Sequence, residues 1–409
     1  MRQYDLAVAG AGLGGLAAAA LLSAKGEKTI LCTPSPSLDD ALGVAARGGF
    51  LFCPGPSLSY GFEQDGPFHQ LLADLGLGEL APASAQAYQV ALPDRRITVF
   101  ANQEETLEEL NREFRLEIRT ISRFYRDLKK EADRIGRNRI FAYFSQRRSA
   151  AGFIRKYAFS RELRSFFDVQ SLFFFQRRVS ELSLATLIAL CNTRPFYYYG
   201  GPRKLADRLI GIVLQEGGDI RYKEAAQEIV IRNNRAIGIR TAREVIEAGT
   251  VLLDSQEQRV PLLFLGIRDT VVPVGMARDV LYLPDYNQPN DFIALALSAQ
   301  EDPGFAPPGM RALTAAFHSM KPPPAQRELT GGISRLIPFL NDFLVLTDEP
   351  RRPEAVPASE GILFKPVRTR GGEQLLFRAS KRNVYKLDEV RHAPLQQIHS
   401  VRKFIQQMR

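Results

Sequence analysis

From Tyr4 to Ala9 the chain alternates toward a buried strand. A turn follows at Gly10, Ala11, Gly12, Leu13, Gly14 and Gly15, and then Leu16 to Ala24 has the alanine and leucine content of a buried helix. Gly26 is placed to cap that helix, and Thr29 to Cys32 is a second apolar strand. Strand, turn, helix and strand within about thirty residues make a βαβ unit, and a right-handed crossover makes its two strands parallel.

Beyond Cys32 the pattern changes. Thr33 to Pro67 is rich in Pro, Ser and Gly and reads as loop, and helical spacing resumes at Phe68 to Leu77. Thr106 to about Leu190 reads as a largely helical block, with Leu107, Leu110, Phe114, Ile118, Ile121 and Tyr125 recurring at three and four residues. Gly200, Gly201 and Pro202 lead into a helix over Lys204 to Gln215, closed by Gly217 and Gly218. Short strands are expected at Asp219 to Lys223, Glu228 to Ile231, Ala236 to Arg240 and Val251 to Leu253. They form one strand rejoining the first sheet and a meander. The rest, to about Phe377, mixes strands with proline-rich loops, and no solenoid period is present.

The chain has 409 residues, of which 45% are apolar and 24% charged, which excludes fibrous and disordered classes and allows two or three domains. Cys32, Cys53 and Cys191 are an odd, widely spaced trio, and four histidines are scattered at 69, 318, 392 and 399. Neither a disulfide scaffold nor a metal site is expected, and a reducing, cytoplasmic setting fits. The apolar stretch from Leu6 to Leu22 follows Asp5, is interrupted by glycines and is short for a spanning helix, so it is read as strand, turn and helix.

The spacing Gly10-x-Gly12-x-x-Gly15 between a strand and a helix has a direct physical use. Glycines permit the tight turn and let backbone approach a pyrophosphate, while the helix N-terminus supplies N–H donors and partial positive charge. Such a turn usually works with an acidic side chain about twenty residues on, bonded to the adenosine ribose. Thr33 stands there, a shorter and uncharged group, and no adjacent arginine favours a 2′-phosphate.

Tyr4 to Thr33, then Gly49, Phe50, Phe52, Gly55 and Pro56, Gly200-Gly201-Pro202-x-x-Leu205 and the Gly217-Gly218 strand and meander together resemble the phytoene desaturase and carotenoid isomerase branch of the FAD-dependent amine oxidase superfamily. The resemblance implies an α/β fold: an FAD/NAD(P)-binding Rossmann-like, doubly wound parallel sheet with a β-meander, plus an inserted helical and mixed substrate domain. It implies that residues 1–105, 196–255 and 378–409 build the FAD domain and that 106–195 and 256–377 face substrate. It also implies FAD as cofactor, with Gly10, Ala11, Gly12, Gly14 and Gly15 at the pyrophosphate, Thr33 at the ribose position and Asp388 at the ribityl chain. The substrate class implied is a long, isoprenoid-like apolar molecule or lipid.

Departures cluster at the cofactor. Thr33 replaces the usual glutamate, and Asp39, Asp40 and Ala41 stand where Gly-Gly-Arg or Gly-Gly-Lys usually flanks the pyrophosphate. Leu387-Asp388-Glu389 replaces Gly-Asp-x, and the glycine-rich stretch that follows is missing between His392 and Gln396. Two carboxylates facing a dianion oppose binding, so the sequence predicts an eroded flavin site.

The formal charge is +9, yet Arg119 to Arg178 alone holds sixteen Lys plus Arg against five Asp plus Glu. Aromatic residues, Phe141, Tyr143, Phe144, Phe153, Tyr157, Phe159, Phe166, Phe167 and Phe173 to Phe175, are interleaved with them. Basic groups beside rings suit an anionic membrane surface at the inner face, a core with a solvated outer face, or a protein partner, and suit nucleic acid poorly. No GxSxG, HExxH, P-loop or CxxC motif is present, and no catalytic acid or base is indicated. Two function classes stand at this point: an FAD-dependent oxidoreductase of desaturase or isomerase type, and a non-catalytic relative that binds lipid or docks a partner without flavin.

Overall fold

A computed structural model of the chain describes residues 3–53, 58–59, 67–78, 87–137, 148–175, 177–192, 196–197, 201–233, 235–254, 261–298, 304–318, 326–349, 364–366, 376–379, 383–387, 401 and 405. Its elements assemble two sheets. In the first, strands β1 (Tyr4–Ala9) and β2 (Thr29–Cys32) pair in parallel, joined by helix α1 (Leu13–Ser23). Val245–Leu253 pairs in parallel with the other side of β1, and Val384–Leu387 with Val245–Leu253 in turn. Asp219–Arg221 extends the sheet in parallel beyond β2. The expected meander is present: Glu228–Arg232, Arg235–Arg240 and Val245–Leu253 run antiparallel in sequence.

The near-continuous apolar run of β1 is explained by burial on both sides. Leu6 and Val8 face α1 and the helix Gly201–Gln215, where they meet Leu16, Leu205 and Leu209. Ala7 and Ala9 face the meander with Ile229, Ile239 and Ile246. All eleven residues of α1 are buried, which is why its sequence lacks a polar stripe. After α1, Gly26 has φ +83°, a conformation that lets Gly26 N–H reach Ser23 O at 2.8 Å and turns the chain toward β2.

The second sheet is mainly antiparallel, in the order Leu344–Asp348, Leu262–Arg268, Met310–Phe317, Ile293–Leu297, Asp279–Tyr282, Tyr88–Ala91 and Arg96–Val99. Alternate residues go to opposite faces. Phe264, Leu281 and Ala316 meet the helical block, and Leu263, Val280 and Ala315 meet Ile333 and Ile337. The helical block contains Gln103–Glu113, Ile118–Arg137, Ala150–Ile154, Arg161–Phe175 and Leu184–Asn192. Tyr88 Oη donates to Gln170 Oε1 at 2.5 Å, pinning Arg161–Phe175 to the sheet.

Two sequence expectations are corrected. Thr33 to Pro67 is not all loop, because helix α2 (Leu38–Leu42) forms there, followed by the antiparallel pair Ala45–Arg47 and Phe50–Phe52. Ser37 caps α2 by accepting Asp40 N–H at 3.2 Å, and Gly43 closes it at φ +69°. Tyr88–Ala91 and Arg96–Val99 precede residue 106 but belong to the second sheet, because Tyr88–Ala91 pairs in parallel with Asp279–Tyr282 about two hundred residues away. The boundary after residue 105 therefore does not follow sheet membership.

The rings of the basic block are core. Phe153, Tyr157, Phe159, Phe166, Phe167, Phe173 and Phe174 are all buried, and Phe124 meets several of them edge-on. Phe141, Tyr143 and Phe144 lie outside the described residues. In Ile118–Arg137, Ile121, Phe124, Tyr125 and Leu128 point inward while Arg119, Arg123, Arg126, Lys129 and Lys130 are exposed, so the outer face of this helix is strongly basic. Among the described residues no helix is long and apolar enough to cross a membrane.

Candidate functional site: a glycine turn at the ends of parallel strands

Ala9 is in register with Cys32 on one side and Leu253 on the other, and Leu253 with Lys386. The next residue on each of the first three strands is therefore Gly10, Thr33 or Asp254, side by side at the carboxyl edge of the sheet. In open α/β sheets this edge is where ligands bind. Asp388 follows the fourth strand and lies outside the described residues, as do His392 and His399.

Gly10 has φ +124°, which side chains strongly disfavour, and its N–H donates to Cys32 O at 2.8 Å. A Cβ on Gly10 would lie 2.1 Å from Asp254 O. Gly12 is the N-cap of α1 in extended conformation, with no side chain to satisfy the helix N–H groups. Ala11, Gly14 and Gly15 are buried beside it. A Cβ on Gly15 would stand 2.4 Å from Asp254 Oδ2 and 2.9 Å from Val8 Cγ1.

Asp254 was not singled out by the sequence. Its N–H donates to Ala9 O at 2.9 Å, and its Oδ2 accepts Gly15 N–H at 3.0 Å. The residue is 1% exposed, and among the described residues Oδ1 has no hydrogen-bond partner. Burial pushes its carboxyl up to about 6, against the lowering effect of the Gly15 and Gly12 N–H groups. The two outer glycines of the fingerprint are thus required for close approach to Asp254 as well as for the turn.

Thr33 is buried, and its backbone is stapled to the turn after Asp219–Arg221: Thr33 N–H donates to Arg221 O at 3.0 Å and Thr33 O accepts Glu224 N–H at 2.9 Å. Its Oγ1 accepts Ser35 N–H at 3.3 Å. Burial, chiefly, and nearby Glu224 push the Cys32 thiol up to about 12, so this buried cysteine is no nucleophile.

Asp39 and Asp40, expected beside the pyrophosphate, have local partners. Arg203 Nε lies 2.6 Å from Asp39 Oδ1, and Asp40 Oδ2 accepts Ser37 Oγ–H at 2.5 Å. Both carboxylates are committed to α2 and to the helix Gly201–Gln215. Elsewhere, His318 is buried with its ring stacked on Phe292 at 3.9 Å, His69 is exposed, and no metal-holding group of His, Cys, Asp and Glu occurs among the described residues.

A glycine bend feeding a buried helix N-terminus, set on a parallel sheet and followed by an antiparallel meander, defines a dinucleotide-binding α/β protein. The chain belongs to the FAD binding domain family, whose model matches residues 5–260, and FAD is its cofactor. Among curated proteins it is 26% identical over 272 residues to the chloroplastic prolycopene isomerase of Daucus carota, a stretch covering 59% of this chain and 44% of that protein. The match thus spans less than half the length of that relative. Among solved structures, an oxidoreductase from Methanosarcina mazei aligns at TM-score 0.63 and 15% identity, covering 98% of this chain and all of that one. A RAB GDI from Plasmodium falciparum aligns at 0.67 and 10%, covering 98% of each chain. At these identities the structures share the fold alone. The Rossmann-like fold and the resemblance to carotenoid isomerases stand.

Residues at the turn fit the cofactor. The glycines of the bend bring backbone to the α1 N-terminus with no side chain of their own, and Arg203 balances the charge of Asp39.

Proposed function

We propose that the protein is an FAD-dependent oxidoreductase of carotenoid isomerase or desaturase type that takes a long, apolar, isoprenoid-like molecule and grips its flavin weakly. The observation that carries this reading is the alignment of Thr33, the Gly10 to Gly15 bend and Asp254 on neighbouring strand ends. Backbone at Gly10, Ala11, Gly12, Gly14 and Gly15 would hold the pyrophosphate, Thr33 would lie near the ribose and Asp388 near the ribityl chain. Bound FAD supplies hydride and electron chemistry at its ring. The chain supplies binding, orientation and exclusion of water, and no side chain is assigned as acid or base.

Weak grip has two sources here. Thr33 brings no charge, and its oxygen already accepts Ser35 N–H. Asp254 occupies the Gly15 N–H group, which would otherwise face an incoming anion. The relative named prolycopene isomerase supports the apolar substrate class. The basic outer face of Ile118–Arg137 supports delivery of that substrate from an anionic membrane surface.

The test is incubation of FAD-loaded protein with a cis-configured polyene, with and without a reductant, followed by chromatographic separation of isomers and desaturation products. Conversion that requires FAD is expected, and failure to convert or bind any polyene contradicts the reading.

A further inference from the structure

Asp254 is a resident anion at the helix end where the ligand's own charge must go. Its backbone N–H is fixed to Ala9 O, which holds the main chain of Asp254 at the junction between Val245–Leu253 and β1. Its Oδ2 lies under the first turn of α1, 3.0 Å from Gly15 N, and Gly10 and Gly15 leave just enough room for it. Two negative groups a few ångströms apart in a dry site do not both stay ionised cheaply. The resident group has the simpler way out, since a carboxylate can take a proton and the pyrophosphate diester stays ionised near neutral pH.

The orphaned Oδ1 points the same way. As part of a carboxylate it is a buried acceptor with no donor among the described residues. Protonated, the group carries no buried charge, while Oδ2 keeps accepting from Gly15.

We infer that Asp254 is a positioning residue for the cofactor turn, and that FAD loads onto the turn together with one proton taken up by its carboxylate. The step is a protonation only: a carboxylate becomes a carboxylic acid and no electrons move. The inference rests on the glycine turn being the FAD site. Beside Asp254 stand Ala9 from β1, Gly10 from the turn, Gly15 from α1 and Leu253 from its own strand. Among the described residues no charged side chain perturbs it, and burial alone raises it to about 6. Affinity should therefore fall as pH rises through that value, by up to about tenfold per unit.

The test is a fluorescence titration of apoprotein with FAD at pH 6, 7 and 8 for the wild type and Asp254→Asn. Asparagine keeps an acceptor for Gly15 N–H, places a donor at the Oδ1 position and carries no charge. The wild type should lose about 10- to 100-fold in affinity from pH 6 to 8, whereas the variant should bind at pH 8 about as tightly as the wild type at pH 6. Calorimetry of the wild type at pH 7.5, in two buffers of different ionisation enthalpy, should show uptake approaching one proton per FAD and needs no variant. FAD binding with a flat pH profile and no proton uptake overturns this inference and leaves the cofactor assignment standing. Absence of FAD binding by both proteins at every pH overturns both.

Discussion

Arg203 Nε and Asp39 Oδ1 are 2.6 Å apart, linking the first turn of Gly201–Gln215 to α2. The contact is electrostatic rather than a directed hydrogen bond, since neither atom meets hydrogen-bond geometry with a partner among the described residues. Its consequence is that a carboxylate expected to repel the flavin nucleotide comes with its own counter-ion.

Removing that counter-ion should therefore weaken FAD binding. Both side chains are about two-fifths exposed, so solvent screening limits the pair to about 0.2–1 kcal/mol. Arg203→Ala should lower FAD affinity by up to about fivefold, and adding Asp39→Gly should restore it. Flavin fluorescence quenching reads both values.

Glycine replacements separate the turn from ordinary glycine positions. Gly10→Ala places a methyl 2.1 Å from Asp254 O at φ +124°, and Gly15→Ala places one 2.4 Å from Asp254 Oδ2. Each should cost about 1–3 kcal/mol or more in denaturant unfolding, with Gly10 the worse. Gly152→Ala, in the helix Ala150–Ile154 with open space around it, should be neutral or stabilising by about 0.5–1 kcal/mol.

Much of this was legible in the chain. The glycine spacing after an apolar run located β1, α1 and β2, and three-and-four spacing located the helix Ile118–Arg137. α2 was missed although its signal is local: Ser37 followed three residues later by Asp40 is a capping pattern inside a stretch that looks like loop. Asp254 had no local signal at all, because its partner Gly15 is 239 residues away and only the parallel pairing of Val245–Leu253 with β1 brings them together. The pairing of Tyr88–Ala91 with Asp279–Tyr282 was hidden for the same reason.

Apoprotein stability should depend on pH through buried carboxyls. Asp254 and Asp279 are both pushed up to about 6, chiefly by burial. Each folded-state value lies above the ordinary carboxylate range, so the folded protein holds more protons than the unfolded one between about pH 4 and 6. Stability is full below that window, is lost as pH rises through it by up to about 3 kcal/mol per group, and levels off above it. Thermal melts across pH 4 to 8 should show this fall. Asp254→Asn should remove its own share.

Membrane contact, if made by the basic face of Ile118–Arg137, depends on charge. Arg119→Glu, Arg126→Glu and Lys129→Glu together should reduce cosedimentation with anionic vesicles by at least about 100-fold, at about 1 kcal/mol per lost cation. High salt should do the same to the wild type. Arg148, whose Nη1 is 2.8 Å from Glu131, should matter less. Binding indifferent to both treatments would assign that face to solvent.

Titration of purified apoprotein with FAD, followed by flavin fluorescence and by the thermal midpoint, reaches the central claim most directly. Saturable binding of one FAD per chain at micromolar concentration is expected, with a rise of several degrees in midpoint and loss of both signals in Gly10→Ala. A flat titration at pH 6, where Asp254 offers least opposition, would contradict the account.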